Sequence, residues 1–204
     1  MTNATIKPLT PAIGGEIDGI NLSTPLSDAE IAFIRQALLD HHVVFFRDQT
    51  LDHAQHKAVG KLFGDLVKVP FVEAVPGHSE IFEIIKLPEE RDVYNFGGNW
   101  HTDMTYMQNP ALVSVLYGDE VPPIGGDTMF ASLEDAYSAL SPGMQKLLEG
   151  LTGVHTADRS YGKSGKFAND TIADEGMDVR PSEEAAKQIE HPVVRTHPET
   201  GRKA

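Results

Sequence analysis

Apolar residues in this chain arrive in short runs separated by turn signals, and that spacing limits the fold more than any other feature. His42 to Arg47 carries Val43, Val44, Phe45 and Phe46 in succession, and Glu80 to Lys86 carries Ile81, Phe82, Ile84 and Ile85. Leu112 to Tyr117, Thr128 to Phe130, Leu151 to Ala157 and His191 to His197 continue the series. Such runs, rich in β-branched and aromatic residues, predict strands. Pro122-Pro123-Ile124-Gly125-Gly126-Asp127 and Pro198-Glu199-Thr200-Gly201 predict turns.

Helices fit between the runs. Ser27-Asp28-Ala29-Glu30 has the form of a capping box, and Ile31, Ile34 and Leu38 then share one helical face. Asp52 with Gln55 opens a second helix, for which Gly64 is the expected C-terminal cap. Ser132 with Asp135, and Ser141 with Pro142, mark two short helix starts, with Gly150 just past the end of the latter. The expected chain is mostly β with flanking helices. The polar, glycine-bearing stretch Asp158 to Arg180 is either a lid over substrate or a surface loop.

At 204 residues the chain suits a single domain, 1–204. A net charge of −13 with no basic stripe predicts no nucleic-acid partner. The sequence has no cysteine, which rules out disulfides and cysteine-ligated zinc or iron–sulfur centres. Met1 to Pro11 lacks a signal-peptide core, and no stretch approaches the ~20 apolar residues of a membrane helix. A cytoplasmic protein with no membrane partner is expected. The turn at Pro198–Gly201 lies three residues before Ala204, leaving little chain for a partner strand. The expectation is an N-terminal portion of a domain whose distal part is missing.

Chemistry concentrates in Asn99-Trp100-His101-Thr102-Asp103. On an extended segment, residues two apart point to one face, so His101 and Asp103 can address one metal ion while Thr102 turns away. Neutral imidazole and ionised carboxylate suit iron(II), and a second imidazole would complete the two-His-one-carboxylate set that leaves positions open for O2. Protonation of the imidazole in acid weakens such a site. A solvated His and Asp at a strand end is the alternative.

Taken together, four segments carry a resemblance: Phe45-Phe46-Arg47-Asp48-Gln49 with the helix to Phe63-Gly64, Asn99-Trp100-His101-Thr102-Asp103, Gly125-Gly126-Asp127-Thr128, and His191-Pro192-Val193-Val194-Arg195-Thr196-His197-Pro198. The chain resembles the taurine dioxygenase (TauD/TfdA) family of Fe(II)- and 2-oxoglutarate-dependent dioxygenases. The resemblance implies a double-stranded β-helix (jelly roll, clavaminate synthase-like), incomplete at its C-terminus. It implies His101 and Asp103 as metal ligands and Thr128 as a 2-oxoglutarate-binding residue. Asn99 is a substrate-facing residue or simply a turn residue. The third ligand, a histidine, and the arginine that pairs with 2-oxoglutarate are expected beyond Ala204. His155, His191 and His197 are expected to be structural, Arg195 and Arg202 to be surface groups, and Trp100, Tyr106 and Phe130 to pack in the core.

The implied reaction consumes 2-oxoglutarate and O2, hydroxylates a small organic acid or sulfonate-like substrate, and releases succinate and CO2. No histidine around Pro70-Phe71-Val72 matches the one that holds a sulfonate in taurine-specific members, and Gly97 stands where a polar side chain is expected. Both departures argue against taurine itself. A jelly-roll metal enzyme of different chemistry and an inactive remnant remain as alternatives, and a homo-oligomer is compatible with all three.

Overall fold

The computed structural model describes residues 2–87, 96–168 and 178–204. The chain divides into two compact units. One comprises Met1–Phe63, Val115–Leu151 and Pro192–Ala204; the other comprises Gly64–Ser114 and Thr152–His191.

The first unit is built on a small sheet and a capped helix. Strand β1 (Thr5–Pro8) runs antiparallel to β2 (Gly15–Asp18), pairing Thr5 with Asp18 and Pro8 with Gly15. Strand β3 (Val44–Phe45) joins β2 in parallel, as a crossover through helix α1 (Asp28–His41) requires. The Ser27 capping box forms in full. The Ser27 hydroxyl accepts the Glu30 N–H, and the Glu30 carboxylate accepts the Ser27 N–H. Helix α1 turns Ile34 and Ala37 into a core shared with Ile17, Ile20, Leu22 and Val59. Val59 lies on α2 (His53–Lys61), which Asp52 and Gln55 cap reciprocally.

The C-terminal end of α2 departs from expectation. Leu62, not Gly64, is its cap, because the Leu62 and Phe63 N–H groups close tight bonds onto Val59 and Gly60. Helices α3 (Leu133–Ser138) and α4 (Pro142–Leu148) begin at Ser132 and Ser141 as the sequence predicts. Gly150, at φ 83°, takes the left-handed conformation that ends α4.

The second unit holds a smaller core. Val72 and Val179 are buried together and form an antiparallel bridge, flanked by Phe82, Phe96, Tyr161 and Phe167. Bonds from the Glu73 N–H to Asp178 O and from the Arg180 N–H to Phe71 O, both 2.8 Å, extend the bridge on either side. Strand β4 (Thr152–His155) pairs with β5 (Ile189–Pro192). Beyond β4 come a short helix α5 (Asp158–Tyr161) and a 3-10 turn (Glu183–Ala186). The Ala185 carbonyl accepts the Ala157 N–H and the Thr156 hydroxyl. Residues 169–177 of the predicted Asp158–Arg180 lid or loop lie outside the described residues.

Among the described residues, more lie in helices than in strands. Glu80–Lys86, Leu112–Tyr117 and Thr128–Phe130 are not strands. An extended run becomes a strand only when a neighbour supplies N–H and C=O partners in register, and no described segment does so for these three. Leu112–Tyr117 still keeps a strand-like alternation, with Leu112 and Leu116 exposed and Val113, Val115 and Tyr117 half-buried. The strand expected over His191–His197 lies further upstream and ends at Pro192, which has no N–H to donate. The Pro198–Gly201 turn does deliver a partner: Thr196 bridges Lys203 antiparallel. No helix among the described residues is long and apolar enough to cross a membrane.

Candidate metal centre

His101 and Asp103 belong to the second unit. They sit on irregular backbone that enters a turn at Asp103, not on a hydrogen-bonded strand. Met104, at φ 56°, bends the chain, and the Met107 N–H closes the turn onto Met104 O at 2.9 Å. The two side chains meet: His101 Nε2 is 3.1 Å from Asp103 Oδ1. Both remain open to solvent, at 52% and 54% side-chain exposure, so an ion can reach them.

The proton inventory of this pair is decisive. His101 Nδ1 lies 2.7 Å from the Asn99 carbonyl oxygen. A carbonyl can only accept, so Nδ1 carries the proton and Nε2 of the neutral ring presents a lone pair. That lone pair faces a carboxylate oxygen, which is also an acceptor. Two acceptors this close need positive charge between them, from a proton or a metal cation. At metal–donor distances of about 2.0–2.2 Å, two donors at right angles stand about 3 Å apart. The pair therefore fits two adjacent coordination positions. The Nδ1–H bond to a backbone carbonyl is the usual way a protein orients a ligating imidazole.

Asp103 is held from its other side. Its Oδ2 accepts the Ser114 hydroxyl at 2.7 Å. Ser114 stands eleven residues downstream, inside an apolar run, and no local pattern in the sequence marks it. Nor does sequence indicate that Asn99 contributes through its main chain. Gly97, at φ 71°, packs beside the ring: a Cβ there would lie 3.6 Å from His101 Cε1. The glycine thus has a backbone reason to be at this position.

Tyr106 follows in the same turn. Its ring lies 6.1 Å from those of both Phe71 and Tyr161, and Phe71 stacks on Tyr161 at 5.5 Å. These aromatics adjoin an open groove of about 630 Å³, whose walls include Phe71, Tyr106, Met107, Ile189, Glu184 and Lys187. Burial, aided by the negative Asp103, raises the Tyr106 pKa above the usual phenol range. Burial, then Tyr106 and Asp103, does the same to Tyr161 more strongly.

The remaining predicted residues fall as follows. Thr128 belongs to the first unit and is exposed. Among the described residues, no three or more His, Asp or Glu side chains converge. His191 Nε2 bonds the Met107 carbonyl at 3.0 Å, and the His155 ring packs against it. His197 Nδ1 accepts the Glu199 and Thr200 N–H groups. Arg202 pairs with Glu134 at 2.9 Å. Trp100 is 69% exposed and Phe130 46% exposed, contrary to the expected core role, because little of the described structure covers them. Phe130 meets Phe45 edge-on, at 6.2 Å.

The model of the taurine catabolism dioxygenase TauD, TfdA family matches residues 5–204, almost the whole chain. The chain belongs to the TauD/TfdA family. An alkylsulfatase from Acinetobacter baylyi is 36% identical to it over 200 residues, covering 98% of this chain and 61% of the relative. An alpha-ketoglutarate-dependent sulfate ester dioxygenase from Pseudomonas putida is 32% identical, over 98% of this chain and 64% of the relative. The crystal structure of a taurine dioxygenase from Burkholderia xenovorans superposes with a TM-score of 0.74 at 36% identity, over 98% of this chain and 61% of that one. This TauD/TfdA chain thus spans about three fifths of the length of these relatives.

Proposed function

We propose that this chain forms part of an Fe(II)- and 2-oxoglutarate-dependent dioxygenase that hydroxylates a small organic acid or sulfonate-like substrate. The observation that carries the reading is the His101–Asp103 pair. His101 Nε2 and Asp103 Oδ1 stand 3.1 Å apart, with Nδ1 already committed to a backbone carbonyl. The names of the relatives support the co-substrate and the substrate class.

In this reading His101 and Asp103 hold the iron, and Asn99 fixes the imidazole tautomer through its carbonyl oxygen. The Thr128 hydroxyl binds a carboxylate of 2-oxoglutarate. A further histidine ligand and an arginine for the distal carboxylate complete the site. The overall architecture is the family's double-stranded β-helix. When bound, iron supplies the activation of O2, one oxygen atom going to succinate as 2-oxoglutarate loses CO2 and the other to the substrate C–H bond.

The test is succinate release from 2-oxoglutarate in the presence of alkyl sulfates, sulfonates and aryloxyalkanoates. Turnover is expected to require 2-oxoglutarate strictly, and His101→Ala is expected to abolish it. Turnover without 2-oxoglutarate, or full activity in His101→Ala, overturns the reading.

A further inference from the structure

We infer that Ser114 is a positioning residue that keeps Asp103 a one-oxygen ligand; this rests on the metal-centre reading above. A carboxylate has two equivalent oxygens, and a cation beside it can be gripped by one or by both. Gripping with both uses a coordination position that a site handling O2 and a bidentate co-substrate needs to keep open. Here the two oxygens have different partners. Oδ1 faces His101 Nε2 at 3.1 Å, whereas Oδ2 accepts the Ser114 hydroxyl at 2.7 Å. A hydroxyl bonded to a carboxylate is a charge-assisted donor of the stronger kind. It occupies one of the two Oδ2 lone pairs and opposes rotation of the carboxylate about its Cβ–Cγ bond, so Oδ1 stays aimed at the imidazole.

Both partners of this contact are solvent-exposed. Ser114 is the polar member of an otherwise apolar run, Leu112-Val113-Ser114-Val115-Leu116, and lies on the same alternation face as the exposed Leu112 and Leu116. The run holds the hydroxyl from outside the turn that carries Asp103. His101 is held in the same way, by the Asn99 carbonyl. Each member of the pair therefore has one atom aimed inward and one atom tied to the protein, the arrangement by which outer partners set ligand orientation.

The experiment compares Ser114→Thr with Ser114→Val, which match in shape and differ in the hydroxyl. Mn(II) alone is titrated into each protein and free Mn(II) is followed by its EPR signal. Co(II) absorption reports coordination number on the same variants. Ser114→Thr is expected to bind Mn(II) within about twofold of the parent. Ser114→Val is expected to bind about 10-fold more weakly or worse, the usual cost of losing such a partner, with a Co(II) spectrum shifted toward a higher coordination number. Equal affinities and spectra for the two variants overturn the role of Ser114. His101→Ala and Asp103→Ala serve as the separate control. If both bind Mn(II) as the parent does, the metal-centre reading itself falls, and the inference with it; if both lose binding while Ser114→Val does not, only the inference falls.

Discussion

At the scale of single residues, the site depends on a few backbone and side-chain atoms that neutralise or orient one another. Gly97 is one of them. Its φ of 71° lies in the left-handed region, and the space for a Cβ ends against His101. Gly97→Ala is expected to lower stability by about 1–2 kcal/mol, the cost of forcing an L-residue into that region, and thermal unfolding measures it. The paired phenols make a second residue-scale prediction. Tyr106 and Tyr161 have folded pKa values raised by burial. Raised values contribute stability that is complete below the ordinary tyrosine value of about 10 and is lost as pH climbs through the folded values. Absorbance titration is expected to show tyrosines ionising late, and Asp103→Asn to bring Tyr106 earlier. If all five tyrosines titrate together near the ordinary value, the packing around Phe71 is wrong.

At the scale of elements, helix starts are local devices and act alone. In α1, the Ser27 hydroxyl and N–H both bond Glu30 and hold its carboxyl below the usual carboxylate range, the hydroxyl contributing most. A lowered folded pKa gives stability that is present above the unfolded value of about 4.3 and lost as pH falls below it. Ser27→Ala is expected to cost about 1 kcal/mol at neutral pH through loss of the cap. It is also expected to flatten the acid limb of the stability–pH curve, as followed by circular dichroism. An unchanged acid limb in that variant counts against the capping box. Strands behave differently. Val44 and Phe45 form β3 because Gly15 and Glu16 lie alongside them, whereas Glu80–Lys86 forms no strand with any described segment.

At the scale of the whole molecule, the charge of −13 keeps copies apart while exposed apolar side chains draw them together. Exposure concentrates along one stretch of the chain: Leu116 at 70%, Val121 at 66%, Ile124 at 91% and Met129 at 74%. The protein is expected to bind a dye for apolar surface and to self-associate with rising concentration and salt. Leu116→Lys combined with Ile124→Lys is expected to reduce both effects, read by light scattering, with no loss of helical signal. Undiminished association in the double variant places the adhesive surface elsewhere. The family match over residues 5–204 and the TM-score of 0.74 hold at this scale as well, since both depend on the chain as a whole rather than on any one motif.

Helix starts, which depend on neighbours three residues apart, were legible in the sequence. The caps at Ser27, Asp52, Ser132 and Ser141 close bonds within one turn of chain, and the type and order of residues decides them. The His101–Asp103 contact is equally local, spanning two residues of irregular backbone where a turn begins. Only the tertiary structure decided which apolar runs became strands, where Trp100 and Phe130 would lie, and which distant hydroxyl would meet Asp103. Those outcomes depend on partners brought from far along the chain, and a hydrogen bond such as Ser114 to Asp103 leaves no periodic trace in the segments that make it.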